Sequence, residues 1–472
     1  MQYYKIMNSN SLKVILEKLE KREITSVEIT KQYLDEIKKK DSQINAFITV
    51  NDKALNEAKL ADDKRQRGDK GVLLGVPIAL KDVYSTRGLK TTAGSRVLEN
   101  YIPPYDATAV KKLKQAGAVI LGKTNLDAWA HGSSGENSDF GVTHNPYDLK
   151  STPGGSSSGS AAAVASGMAP VAAGTDTGGS IRLPASFCNV VGLKPTYGRV
   201  SRYGIIAMGS SFDSIGHITQ DVFSSALVLS VTGEIDPNDG TTGKVAVTQY
   251  HKLLGKPING VKLGIIKEFM KEGLDSEIKK NFGKACKTLE DLGCEIVEIS
   301  LPHVDYATST YYILVPAEVS SNLGRMDGVR FGNSRDHFSA EAKRRVMIGT
   351  YTLSSGYYDA YYNKALKVRR LIINDFNNAF KSVDAIIAPT SPTPPFKLGE
   401  KLNEPLSMYL SDIYVCPMNL AGVPALSVPM EPAHNLPCGI QFVGRQFDEN
   451  TIFNIAHAYE QARGDINLKL KI

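Results

Sequence analysis

Apolar and polar positions alternate along this chain in two periods. In residues 275–293, Ile278, Phe282, Ala285, Leu289 and Leu292 recur at helical spacing and predict an amphipathic helix. Residues 11–39 predict two helices. Thr25-Ser26-Val27-Glu28 has the capping-box pattern, in which a hydroxyl and a carboxylate three residues apart satisfy each other's free backbone N–H groups, so the second helix is expected to start near Ser26. Lys38, Lys39 and Lys40 suit the negative end of that helix. Short apolar runs predict strands at 76–83, ending in Lys81-Asp82, and at 118–121, 261–266, 295–300, 385–388, 425–429 and 439–444. Helices are expected at 107–116, after the 154–159 loop, after Ser180 and over 450–462. The small-residue stretch 161–174, broken by Ser166, Gly167 and Pro170, predicts close packing inside a domain, and the proline-rich 389–395 a loop.

Strands alternating with helices predict an α/β sheet covered by helices on both faces. No repeat, low-complexity linker or domain boundary stands out. One domain over residues 1–472 is expected, with N-terminal helices up to about residue 70 packing on its core.

Composition narrows this little. Hydrophobic residues at 42% and charged residues at 22% fit a globular protein. The net charge of +6 permits an RNA partner without requiring one. Five scattered cysteines with no C-x-x-C pair suggest a reducing, cytoplasmic compartment. The opening residues are polar and lack an apolar signal core, and no run is apolar enough to span a membrane. Eight histidines without an H-E-x-x-H pattern or a Cys/His cluster make a catalytic metal an unneeded assumption.

The candidate chemistry lies in 175–184, Thr-Asp-Thr-Gly-Gly-Ser-Ile-Arg-Leu-Pro. Backbone N–H groups beside Gly178-Gly179 can approach a ligand closely, and with the Ser180 hydroxyl they would form a nucleophile with its own oxyanion hole. A second Gly/Ser loop spans 154–160, and Lys81 stands at the carboxyl end of a predicted strand, where open α/β sheets place active-site groups. Each signal has a common alternative: a tight turn, a linker, a surface lysine. A lysine near its ordinary pKa of about 10.4 is no base at neutral pH, but burial would lower that value and let it take a serine's proton.

Two rivals are weak. Gly117–Thr124 fits the G-x-x-x-x-G-K-[ST] phosphate-loop pattern, yet a helix precedes it and its middle reads as a strand, the reverse of that motif's setting. His217 with Asp213 or Asp221 could suggest a Ser-His-Asp triad, but no G-x-S-x-G elbow accompanies it.

Gly75–Asp82, Gly122-Lys123-Thr124-Asn125, the 153–160 serine loop, the 175–185 loop and Gly192–Arg199 together resemble the amidase signature family over nearly the whole chain. The resemblance implies a large mixed, twisted β-sheet and a Ser-Ser-Lys triad, with Ser180 as nucleophile, Ser156 as a bridging serine on a cis peptide, and Lys81 as base. It implies an oxyanion hole from the N–H groups of Thr177, Gly178, Gly179 and Ser180. Two departures, Ser158 for a common glycine and His131 where methionine is frequent, fall near the substrate.

The carboxyl third, through Ser354–Tyr362, Met408–Asp412 and Asn419–Pro424, is most similar to glutamine-hydrolysing subunits of tRNA-dependent amidotransferases. That implies free glutamine as substrate, Arg345 for its carboxylate, Asp412 for its ammonium and Tyr311 lining the site. It further implies no cofactor in this chain. A tRNA-binding partner, the B subunit of such complexes, would use ATP and Mg to convert Glu-tRNA(Gln) to Gln-tRNA(Gln), and a small C subunit would complete the assembly. The alternatives are a stand-alone amidase acting on another carboxamide and a non-catalytic scaffold.

Overall fold

The computed structural model describes residues 11–330, 332–402, 404–466 and 468–472. The reading of the polar opening as lacking a signal core falls on residues 1–10 and lies outside the described residues. No described helix is long and apolar enough to cross a membrane.

Eleven strands of the described residues form one mixed sheet. In chain order they are β1 (Phe47–Val50), β2 (Pro77–Lys81), β3 (Val119–Thr124), β4 (Val171–Asp176), β5 (Val191–Lys194), β6 (Ser214–Thr219), β7 (Lys262–Ile266), β8 (Glu295–Ile299), β9 (Ala385–Pro389), β10 (Ala425–Ala433) and β11 (Leu436–Val443). Across the sheet the order is β1-β3-β2-β4-β6-β5-β10-β11-β9-β7-β8. The β3–β2–β4 and β9–β7–β8 neighbours are parallel, and the other pairings are antiparallel. Every residue of β2 to β6, β9 and most of β11 is buried, so both faces of the middle of the sheet are covered. Exposure returns at the edge strands β1 and β8.

Most predicted elements form within a residue or two. The helix at Ser26 starts with the full capping box, Thr25 and Glu28 satisfying each other's backbone N–H groups. It continues to Ile44, however, so Lys38–Lys40 sit before its last turn and do not meet its negative end. The 161–174 stretch holds more than close packing. It ends the helix Ser158–Ala165 and then enters β4, a strand of small residues. β1, β5 and β6 likewise form without a predicted strand.

Two features place the site. β2 and β4 are parallel neighbours, paired at Ala79–Ala172 and Leu80–Ala173, so Lys81 and the Thr175-Asp176 end of β4 emerge side by side. The helices Ala307–Leu323 and Ala340–Thr352 then pack so closely that a Cβ on Gly349 would overlap the Pro316 carbonyl. Arg345 lies one turn before Gly349 on the same face.

A glycine inside an exposed helix ordinarily costs about 1 kcal/mol against alanine. Here the sign reverses: Gly349→Ala is expected to destabilise the protein by about 1–3 kcal/mol through overpacking. Urea unfolding of the two proteins checks this, and a stabilised variant would refute it.

Candidate active site

Lys81 is the last residue of β2 and is fully buried. Its Nζ lies 2.8 Å from Ser156 Oγ, 2.9 Å from Thr175 Oγ1 and 3.0 Å from Ser157 Oγ. No carboxylate forms an ion pair with it among the described residues. Burial lowers its pKa to about 7, against the pull of Asp127, Asp176 and Asp213, which raise it. The hydrogen-bond inventory then gives the amine a direction. Ser157 Oγ donates its own proton to the Thr175 carbonyl at 3.2 Å, so it can only accept from the lysine. A neutral amine has two hydrogens and one lone pair. With one hydrogen on Ser157 Oγ, the lone pair is left to the Ser156 and Thr175 hydroxyls, either of which can donate to it. Ser156 follows Gly155 through a cis peptide, as the resemblance implied.

The loop carrying Ser180 is braced from beneath by Asp176 and Arg182, both fully buried. Arg182 Nε donates to Asp176 Oδ2 at 3.0 Å and Nη2 to Oδ1 at 3.1 Å, while Nη1 and Nη2 also reach Gln441 Oε1, the Val415 carbonyl and Asn419 Oδ1. Burial raises the Asp176 pKa, but the Arg182 charge and hydrogen bonds outweigh it and hold it at about 2. The carboxylate also accepts the N–H groups of Gly179, at 2.8 Å, and of Ile181, at 3.2 Å. That corrects one expectation: the Gly179 N–H is already engaged and faces Asp176. The N–H groups of Thr177, Gly178 and Ser180 have no partner among the described residues.

Both glycines are required. A Cβ at Gly178 would overlap the Tyr311 ring, and one at Gly179, at φ +127°, would overlap Val415. Ser180 is 7% exposed, in contrast to the sealed Ser156 and Lys81, so solvent reaches the loop at the serine. The two serine loops touch where the Ser157 N–H donates to the Ser180 carbonyl at 3.1 Å. The hydroxyl of Ser180 has no hydrogen-bond partner among the described residues, so the Ser180–Ser156 link is open here. Apo active sites commonly close such bonds only around substrate.

A third segment, 127–137, shapes the serine loop from its other side. Asp127 accepts the N–H groups of Asn137 at 2.9 Å and Gly135 at 3.0 Å, and its carboxylate fills the space where a Cβ on Gly155 would stand. Gly135 in turn leaves room for Ser158: a Cβ there would come 2.6 Å from the Ser158 Cβ. His131 is buried with both ring nitrogens unpartnered, and burial, helped by the charge of Arg345, keeps it neutral.

The expected substrate residues meet on one tyrosine that the sequence does not single out. The Tyr312 hydroxyl donates to Asp412 at 2.8 Å, and its ring lies 5.3 Å beneath the Arg345 guanidinium and stacks on Tyr409. Ser133 Oγ donates to the same carboxylate at 2.8 Å. Burial raises the Asp412 pKa to about 6, although the Tyr312 and Ser133 hydroxyls and the Arg345 charge lower it. Arg345 Nε is held by Glu341 at 2.8 Å, and its Nη1 is buried without a partner. Ser133, Asn137, Tyr312, Arg345 and Lys401 line a cavity of about 40 Å³. Tyr311 is absent from that lining. It packs instead on Gly178, two residues from Ser180.

The rival motifs do not form sites. Val119–Thr124 is a strand, and Lys123 points into the core, pairing with Asp82 at 3.4 Å. His217 lies in β6 and meets the Ser225 carbonyl and hydroxyl at 2.9 Å, while burial takes its pKa down to about 3. Asp213 braces Thr177, and Asp221 caps the helix Val222–Thr232. No cluster of His, Cys, Asp and Glu among the described residues could hold a metal ion.

The sequence profile of the amidase family matches residues 28–453, and the chain belongs to that family. The chain is 52% identical to the A subunit of glutamyl-tRNA(Gln) amidotransferase from Thermoanaerobacter pseudethanolicus, with 94% of this chain and 95% of that protein covered. It is 53% identical to the same protein of Geobacter metallireducens, covering 94% and 96%. Among solved structures, the glutamyl-tRNA(Gln) amidotransferase A subunit from Thermotoga maritima matches at a TM-score of 0.80 and 43% identity, covering 92% of this chain and 91% of that one. The peptide amidase of Stenotrophomonas maltophilia matches at 0.82 and 30%, covering 98% and 99%.

Two outcomes follow from this geometry. The Lys81 pKa is lowered, so the amine is free above about pH 7 and protonated below it. Amide hydrolysis measured as kcat/KM should therefore fall about tenfold per pH unit on the acid side of 7 and level off above it; an acid limb near pH 10 would mean an amine of ordinary basicity and overturn the lowered Lys81 pKa. Replacing Arg182 by methionine leaves Asp176 buried and unpaired, and should destabilise the protein by about 3–5 kcal/mol in denaturant unfolding.

Proposed function

We propose that this chain hydrolyses the side-chain carboxamide of glutamine and supplies the ammonia to a partner subunit. The observation that carries this is the buried Lys81 amine, its pKa lowered to about 7, 2.8 Å from Ser156 Oγ and beside a glycine-flanked Ser180. Ser180 Oγ attacks the amide carbon while its proton passes through Ser156 to the Lys81 lone pair. The N–H groups of Thr177, Gly178 and Ser180 face the negative oxygen of the tetrahedral intermediate. The same proton then returns to the amide nitrogen, the C–N bond breaks and ammonia leaves. Water, whose proton passes by the same relay to Lys81, attacks the resulting acyl-enzyme; the ester C–O bond breaks, the proton returns to Ser180 Oγ and glutamate is released.

Arg345 and Asp412 give the reading its substrate. Glutamine carries one carboxylate and one ammonium on a single carbon. An arginine on the face of Tyr312 and a carboxylate at its hydroxyl present the complementary pair of charges. The unpartnered Arg345 Nη1 is the donor such a carboxylate would take. The relatives at 52–53% identity are subunits of glutamyl-tRNA(Gln) amidotransferase, which favours glutamine over other carboxamides. In the complex, a tRNA-binding B subunit uses ATP and Mg to convert Glu-tRNA(Gln) to Gln-tRNA(Gln), and a small C subunit joins the two. The weak net charge of +6 agrees with tRNA being held mainly by the partner.

Ammonia release from glutamine, compared with simple aliphatic and aryl amides, tests the substrate. Arg345→Ala should raise the KM for glutamine about 10–100-fold, the loss of one charged hydrogen bond, and leave the simple amides nearly unaffected. Preference for simple amides, insensitive to Arg345→Ala, would make this a stand-alone amidase. Ser180→Ala should abolish hydrolysis of every amide; full activity in that variant would leave only a scaffold role.

A further inference from the structure

Two buried polar groups beside the substrate residues are left over by the mechanism. One is Arg345 Nη1. The other is the imidazole of His131, 1% exposed, neither of whose nitrogens has a partner among the described residues. The fold ties the two together. The segment reaches His131 through Trp129 and Ala130, both in the left-handed region at φ +59° and +61°. The Trp129 ring meets Phe338 edge-on at 5.6 Å, and Phe338 stands just before the helix Ala340–Thr352 that carries Arg345. Beyond His131, Gly132, Ser133 and Asn137 line the same cavity as Tyr312 and Arg345. Asn137 Nδ2 donates to the His131 carbonyl at 3.1 Å and fixes the residue in that wall.

We infer that His131 is a second donor to the α-carboxylate of the substrate: one oxygen takes Arg345 Nη1 and the other takes the N–H of the neutral imidazole. The inference rests on the glutamine reading above and adds a specificity residue to it. Packing alone does not explain this side chain, because an apolar residue would fill the volume without stranding two nitrogens. Two unpartnered donors in one buried wall, one of them charged, call for an anionic acceptor, and a carboxylate offers two oxygens. The other groups of the wall are engaged. Ser133 Oγ and the Tyr312 hydroxyl donate to Asp412, Arg344 is held by Glu341, and Lys401 reaches Ser411 Oγ at 3.2 Å. A neutral ring also suits the place. Burial, helped by the Arg345 charge, keeps the proton count of His131 low, so the free site does not carry two adjacent cations. Methionine, frequent at this position in the family, cannot donate. His131 therefore strengthens a grip that Arg345 begins.

The test uses the full chain with glutamine and with γ-aminobutyramide, which is glutamine without its α-carboxylate. The variants are His131→Met and His131→Gln, each first shown by thermal melting to be folded. In His131→Met the ratio of kcat/KM for glutamine to that for γ-aminobutyramide should fall about tenfold, the loss of one hydrogen bond to a charged group, and the loss should lie in KM. His131→Gln keeps an N–H donor and should recover most of the ratio. The wild-type protein gives a reading that needs no variant. Glutamate, the product with the same α-carboxylate, should shift one imidazole nitrogen signal in NMR spectra, and γ-aminobutyrate, which lacks that group, should shift none. A wild-type ratio in His131→Met, a ratio equally low in His131→Gln, or no imidazole response to glutamate overturns the role of His131 and leaves the glutamine reading standing. A wild-type preference for γ-aminobutyramide that Arg345→Ala does not alter overturns both.

Discussion

The site depends on one unfavourable act of burial: an amine sealed at the end of β2 with no carboxylate in contact among the described residues. Water stabilises an ammonium far better than a ring of hydroxyls does, so folding favours the neutral form of Lys81. Burial alone does not make a base, however. Lys123 and Lys194 are equally enclosed, with pKa values lowered to about 8 and about 7. Lys123 faces Asp82, and Lys194 reaches the Pro195 carbonyl. Lys123 also reaches the Thr91 hydroxyl, at 2.8 Å, so what distinguishes Lys81 is that it has no carboxylate partner among the described residues and that one of its hydroxyls, Ser156, lies in the loop facing Ser180.

A neutral amine holds no loop in place by charge, so the rigidity comes from elsewhere. Asp176 and Arg182 supply it, one residue at the end of β4 and the other opening the helix Arg182–Phe187. The ion pair stands directly under the loop it positions and gathers the Gly179 and Ile181 N–H groups, Asn419 and Gln441 into one network. The charges that stabilise the site are thus kept on the structural side of the loop. The groups proposed to pass the proton are two hydroxyls and an amine whose charged form burial disfavours.

Much of this was legible in the sequence, for a physical reason. Close approach of backbone to a ligand requires glycine, and a proton relay requires hydroxyls, so Gly154–Ser160 and Thr175–Ser180 announce themselves locally. Lys81 was legible because it ends an apolar strand. Two classes of feature were not legible. Strands built from small residues, β4 above all, lack the β-branched run that marks a strand. Contacts between distant segments leave no local trace: Ser133 and Asp412 are 279 residues apart, and only the fold brings them to Tyr312. The same holds for the Gly179 N–H, whose direction depends on where Asp176 points. The helix at Ser26 outran its lysines because tertiary packing, not the end charge, set its length.

Gly135 and Ser158 illustrate how such a surface constrains its own history. Ser158 fits only because position 135 carries no side chain: its Cβ occupies the volume that Gly135 gives up. The order of genetic change is then not free. A lineage can shed the side chain at 135 first and tolerate a brief void, but it cannot add one at 158 first without collision. The pair behaves as a one-way valve in sequence space: once Ser158 is in place, Gly135 is held twice over, by its backbone at φ +83° and by the side chain opposite.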